Sequence, residues 1–160
     1  MMIEAHASTD LHQLRKSIAT ASVVMLTNVD ADGAFLTRPM APLEMDGNGG
    51  LWFFTDLRAR AVDHTRVANV SFTDASRGIR VSLSGRSEID TDRARIARLW
   101  ASFAKPASTT APDSENLALL KFVPDSAARW NHSQGGMTHM FAHAAAASGD
   151  QIVASDQDIR

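Results

Sequence analysis

The sequence predicts a mainly β (α+β) protein: about six antiparallel strands in a closed or partly closed small barrel, with helices at its edges. Three observations point there. Short apolar runs recur at hairpin spacing, glycine-bearing turns separate them, and helix-period patterning is confined to a few segments. A chain of 160 residues suits one domain, and 44% hydrophobic with 21% charged residues is too apolar for intrinsic disorder.

The elements follow in order. Leu11, Leu14, Ile18 and Ala21 recur at helical spacing and predict a helix from about Asp10 to Ala21, with Ser8, Thr9 or Asp10 as cap. A compact apolar strand runs from Ser22 to Val29. Asp32-Gly33 marks a tight turn, because glycine accepts the positive φ such turns require. A second strand covers about Ala34–Leu43, and Pro39 within it lacks an N–H and places it at an edge or bulge. Asp46-Gly47-Asn48-Gly49-Gly50 turns into a third strand, Leu51–Thr55, so two hairpins in succession read as a meander. A short helix is expected over Arg58–Arg66 and a strand near Asn69–Thr73. Ile79–Ile89 alternates most clearly: Ile79, Val81, Leu83 and Gly85 share one side, and Arg80, Ser82, Ser84 and Arg86 the other. A helix over Asp92–Phe103 puts Ile96, Leu99, Trp100 and Phe103 on one face. Lys105–Glu115 reads as a loop, and Leu117–Val123 as a strand ending before Pro124. A short helix is expected from Gly135-Gly136 to Ala147. Residues 1–147 form the expected domain and 148–160 a flexible tail.

Charge and composition remove several function classes. Lys and Arg number 16 against 18 Asp and Glu, net −2, which argues against a nucleic-acid binder, since duplex affinity rests on many phosphate-neutralising cations. Without cysteine there is no disulfide, thiolate-held cluster or thiol nucleophile. Met1–Asp10 shows no signal-peptide pattern, and the apolar run Val23–Leu26 is far short of the roughly 20 residues of a membrane span. The expectation is a cytoplasmic protein with neither nucleic acid nor membrane as partner.

Four constellations bear on chemistry. In Trp52–Arg60 a strand end runs into a helix start, where free N–H groups favour an anion and Thr55, Arg58 and Arg60 offer donors; the alternative is a helix capped by Asp56 with two solvated arginines. Arg38-Pro39-Met40 sets a planar guanidinium beside a rigid ring, suited to a flat ligand. Arg80, Ser82, Ser84 and Arg86 form either a wet face or, through Arg80, part of a pocket. His139 and His143 share a helical face at metal-ligand spacing, with His132 nearby, but the glutamate of a zinc-protease helix is missing and no acid lies between Gln134 and Gly149, so no metal is expected. Serine-hydrolase elbows, dinucleotide fingerprints and phosphate loops are absent.

Taken together, the chain resembles the FMN-binding split-barrel family related to pyridoxamine 5′-phosphate oxidase, and within it the general stress protein branch. The resemblance runs from about Leu11 to Trp130. It rests on Arg38-Pro39-Met40-Ala41-Pro42-Leu43, Leu51-Trp52-Phe53-Phe54-Thr55-Asp56 and Val81-Ser82-Leu83-Ser84-Gly85-Arg86-Ser87-Glu88. Asp92-Arg93-Ala94 leading to Leu99-Trp100, Asn116–Lys121 and Trp130 follow in the family's order. It implies a six-stranded antiparallel split β-barrel with flanking helices, and a homodimer with FMN sites at the subunit interface. Arg38, Pro39 and Met40 would line the isoalloxazine, with Trp52–Phe54 packing in the strand beneath. Thr55, Asp56, Arg58 and Arg60 would face the phosphate end. Arg80 adds a cation, and Trp130 lies near the flavin, from its own or the partner subunit. Arg38, Arg58, Arg60 and Arg80 are thus expected to converge on one pocket. The chain departs from the family where Ser and Lys commonly hold the phosphate, since Ala59 and Ala61 stand there. Three functions remain open: a flavin-dependent oxidoreductase of unidentified substrate, a non-catalytic dimeric stress protein with weakened or lost flavin binding, and a haem-binding split barrel using His132, His139 or His143.

Overall fold

A computed structural model describes residues 2–58, 66–103, 113–131 and 136–142. Helix α1 spans Met2–Ala19 and starts well before the expected Asp10, because the preceding residues include no glycine or proline to stop it. Its C-terminus is closed by Thr20 Oγ1 donating to Ser17 O at 2.8 Å and Ala21 N donating to Ile18 O at 3.0 Å. Strand β1, Val24–Val29, turns into β2, Phe35–Met40, through Asp30–Ala34. There the Asp30 carboxylate accepts from the N–H groups of Asp32 and Ala34, and Gly33 takes φ 82°.

The chain continues through β3, Glu44–Met45, and β4, Leu51–Asp56. Strands β5, Arg66–Asp74, and β6, Ile79–Asp90, form the next hairpin. Helix α2, Arg93–Ser102, is capped by Asp92, whose side chain accepts from the N–H groups of Ala94 and Arg95. Strands β7, Leu117–Asn131, and β8, Gly136–Ala142, follow. All ladders are antiparallel, in the order β2-β1-β5-β6-β7-β4-β3, with β8 also on β7.

Eight strands are therefore seen among the described residues, against the six expected. The additions are the two-residue β3 and β8. The expected meander is also rearranged: β2 does not pair with β4. Pro39 gives β2's outer edge no N–H, and Pro42 turns the chain away, so β2 remains an edge while β4 joins β7. The helix expected from Gly135-Gly136 to Ala147 is strand β8 over its described part, because the second half of β7 offers an unpaired edge once β4 ends its ladder at Leu51 opposite Phe122. Of the helix expected over Arg58–Arg66, Arg58 is in a turn and Arg66 opens β5 instead; residues 59–65, like the tail 148–160, lie outside the described residues. Most of the Lys105–Glu115 loop does too.

Strand β7 runs past Pro124 instead of ending there. It does so by a bulge: Ser84 faces Ser126 and Gly85 faces Pro124, which leaves Asp125 as the extra residue. Gly85 permits this, since a Cβ there would lie 2.0 Å from Val123 O. The bulge divides β7 into a half paired with β4 and a half paired with β8.

Val24 and Leu26 of β1 share one buried cluster with Leu51 and Phe53 of β4, near the opposite end of the strand order, so the sheet curls on itself as a partly closed barrel. Leu14 and Ile18 of α1 plug it. Full burial of each such side chain stabilises by roughly 1.5–3 kcal/mol. A second cluster, with Trp52, Ile96, Leu99, Leu117 and Leu119, seats α2 on the outer side of β4 and β7.

Candidate functional site

Side-chain alternation sorts the expected site residues onto different faces. On β2, Arg38 lies opposite Leu26 and so points inward, whereas Pro39 lies opposite Met25 and is exposed on the outer face. The Nε and Nη2 atoms of Arg38 are buried and find no hydrogen-bond partner. Desolvation by burial lowers the pKa of this guanidinium from its ordinary value. Met40 is partly buried against the barrel core. Thr55 is buried on the inward side of β4. Phe54 is on the other side, edge-on to Trp100 with ring centroids 5.3 Å apart at 62°, as part of the α2 packing.

Asp56 and Arg58 form a local pair. Arg58 Nε donates to Asp56 Oδ1 at 2.9 Å, Arg58 Nη2 pairs with Asp56 Oδ2, and the Arg58 N–H donates to Oδ1 at 2.8 Å. The hydrogen bond to Asp56, then its charge, raises the Arg58 pKa. This segment is an Asp-stabilised turn with its cation already engaged. Arg60 lies outside the described residues.

Arg80 and Trp130 are cross-strand partners on the outer face of β6 and β7. They line a pocket of about 560 Å³ with Val23, Met25, Ser71, Thr73 and Ser82. Among these and the other lining residues, Phe72 and Val81, Arg80 is the one charged group. Arg38 and Arg80 therefore lie on opposite faces of the sheet, and within one chain these two arginines do not converge.

The outer face extends well beyond this pocket. Successive rows cross the strands: Thr37, Thr27, Asn69 and Ser84 form an uncharged hydroxyl and amide row, with Thr27 and Thr37 hydroxyls 2.8 Å apart and Asn69 Nδ2 donating to Ser82 Oγ at 2.9 Å. Exposed apolar side chains flank it: Val23, Met25, Phe35 (76%), Val67 (69%), Val123 and Trp130 (38%). Uncovered apolar surface of this breadth marks an interaction face. Sequence reasoning missed Met25 and Val67, although alternation along β1 and β5 carried the signal. It also missed Asn28, buried inside the barrel with its Oδ1 unpartnered; a lone asparagine in an apolar strand gave no cue.

His139 sits on β8, so the helical spacing to His143 is lost; His132 and His143 lie outside the described residues. Among the described residues no group of three His, Asp or Glu is placed to hold a metal. No helix among them is long and apolar enough to cross a membrane.

Many solved structures share the fold, three of them as follows. A protein related to general stress protein 26 of B. subtilis, of the pyridoxinephosphate oxidase family, from Clostridium acetobutylicum superposes with TM-score 0.66 at 20% identity, over 82% of this chain and 94% of that one. The general stress FMN/FAD binding protein of Xanthomonas citri gives 0.62 at 24%, over 92% and 99%. A nimC/nimA family protein of Clostridium acetobutylicum gives 0.67 at 13%, over 82% and 91%. No curated protein sequence matches the chain. The family described as pyridoxamine 5′-phosphate oxidase like matches residues 9–153. With nearly the whole sequence covered, from the α1 helix through both halves of the split β7 strand, the chain belongs to the pyridoxamine 5′-phosphate oxidase-like family.

Proposed function

We infer that the protein is an FMN-binding member of the family's general stress branch, working as a cytoplasmic homodimer. One observation carries the reading: the half-buried Arg38 guanidinium, whose Nε and Nη2 donors are buried and unpartnered. An uncompensated buried cation destabilises the free protein, and it persists where a ligand supplies the missing acceptor. Flavin rings present carbonyl oxygens and a ring nitrogen of that kind, so the residues present fit the group. Family membership and the likeness to the Xanthomonas citri FMN/FAD binding protein support the choice of ligand.

Bound flavin would supply the redox chemistry, which no cysteine here can. The chain's own side chains orient and shield: Arg38 donates to the ring, Met40 sets apolar surface on the same side of β2, Pro39 stiffens the strand from the outer face, and Thr55 is a buried hydroxyl on the strand leading to the Asp56 turn. The outer sheet face is the surface for a second copy, since it is apolar, hydroxyl-rich and free of acidic side chains in the rows described above. Trp130 and Arg80 of that copy then complete the site from the other side.

Titrating the purified protein with FMN by calorimetry and flavin fluorescence tests the reading, and saturable one-per-chain binding is the expected result. A colourless protein giving neither heat nor quenching would rule it out. Light scattering should report two chains, with Met25→Glu plus Val67→Glu giving one.

A second reading has its own support. Asp56 occupies Arg58, and Ala59 and Ala61 replace the family's phosphate-holding Ser and Lys, which favours a non-catalytic protein with weakened flavin affinity. The magnitude of the FMN dissociation constant separates the two. Nothing on the described residues favours haem.

A further inference from the structure

Strand β1 buries one polar side chain among its inward apolar ones. Asn28 is 2% exposed, in line with Val24 and Leu26. Its Nδ2 donates to Ser87 Oγ at 3.0 Å, across the small Ala68 of the intervening β5. Its Oδ1 has no partner. Among the described residues, three buried side-chain nitrogen or oxygen atoms lack a hydrogen bond, and all belong to two residues: Asn28 Oδ1, Arg38 Nε and Arg38 Nη2. One is an acceptor and two are donors. The register places them together, since Arg38 faces Leu26 and Asn28 faces Leu36, making Asn28 and Arg38 diagonal neighbours on the inward side of β1 and β2. Such neighbours are within reach of a long side chain.

We propose that Asn28 is a positioning residue that holds the inner edge of the Arg38 guanidinium, directly or through one buried water, and so aims the rest of the fork at a ligand. Ser87 fixes the amide by taking its N–H group, which leaves Oδ1 for arginine. The proposal rests on the reading of Arg38 as a flavin donor, yet the anchor itself is a property of the chain alone.

Three variants of the full chain test it: Asn28→Leu, which keeps size and removes the acceptor, Asn28→Ser, which is too short to reach Arg38, and Ser87→Ala. Losing one charge-assisted hydrogen bond predicts about a tenfold weaker FMN dissociation constant in N28L and N28S. In a double-mutant cycle, Arg38→Met combined with N28L should be no worse than R38M alone. S87A should lower Tm as N28L does while weakening FMN by less than threefold, a split that a merely structural role would not give. Unchanged affinity in N28L and N28S, or additive losses with R38M, overturns the proposal. If wild type fails to bind FMN, the flavin reading falls separately. Nitrogen-15 NMR of the ligand-free protein then decides: an Arg38 Nε–H exchanging more slowly in wild type than in N28L and N28S upholds the anchor, and equal rates refute it.

Discussion

Arg38 on β2 and Arg58 just after β4 are both arginines expected at a ligand, and they differ in what they can still do. Arg58 is exposed and spends its Nε and Nη2 on a carboxylate two residues away, so its charge is cancelled locally. Arg38 is half-buried on β2 and leaves two donors unsatisfied inside the barrel. Availability for a ligand follows pairing, not net charge or proximity in sequence. An exposed ion pair contributes little to stability, whereas a buried unpaired donor set costs stability until something binds it.

The largest effect should come from removing the unpartnered cation. Arg38→Met is expected to weaken FMN by about a hundredfold, since one or two charge-assisted hydrogen bonds disappear, while leaving Tm unchanged or higher. Calorimetric titration and thermal unfolding of the same sample read both. A lower Tm with unaltered affinity would reverse the roles assigned to the two arginines.

Next in size is the phosphate end. Ala59→Ser with Ala61→Lys should tighten FMN about tenfold by restoring a hydroxyl and an ammonium. No change would mean that the phosphate is held without those positions. Freeing Arg58 from its partner is a smaller intervention: Asp56→Asn should improve affinity about threefold, with the gain fading in 1 M salt because the liberated charge is solvent-screened. Arg58→Ala should alter affinity less than twofold. A large loss in that variant would show that the Asp56 pair opens on binding.

How far these differences were legible in sequence depended on distance along the chain. The inward and outward sides of β6 and the helix over about Asp92–Phe103 follow from local period, and both are seen, α2 running Arg93–Ser102 behind its Asp92 cap. Strand β7 passing Pro124 depended on Gly85, far away in sequence, tolerating Val123 O at its α-carbon. Strand β8 replaces the expected helix because Met137, Met140 and Phe141 fit a helical stripe in sequence, and only the free edge of β7 decides between helix and strand. The separation of Arg38 from Arg80 needed the whole strand order. Both residues are ligand cations by type, but the face on which each points emerges only once β1 and β5 lie between their strands. Asn28 shows the same limit in one side chain, since its unmet acceptor exists only relative to β2 and β6.

The smallest expected effect concerns a group that is paired, like Arg58, but against an indole. Asp46 sits in the turn between β3 and β4. Its Oδ2 accepts from Trp52 Nε1 at 3.0 Å, and its Oδ1 from the N–H groups of Asn48 and Gly50, each at 2.9 Å. Burial works to raise its pKa; the Trp52, Gly50 and Asn48 hydrogen bonds and the Lys121 charge outweigh burial, and the carboxyl sits below its ordinary value of 3.8. A folded-state value below the unfolded one means that the stabilisation is complete above pH 3.8 and is lost as pH falls through the folded value. Asp46→Asn should therefore lower Tm modestly at pH 7 and flatten the acid limb of Tm against pH, with FMN affinity untouched. Trp52 fluorescence offers a local readout: its emission should shift on acidification in wild type and not in D46N. An acid limb of the same steepness in both proteins would mean that the indole-held carboxylate, for all its partners, contributes no more to stability than the solvent-exposed pair at Arg58.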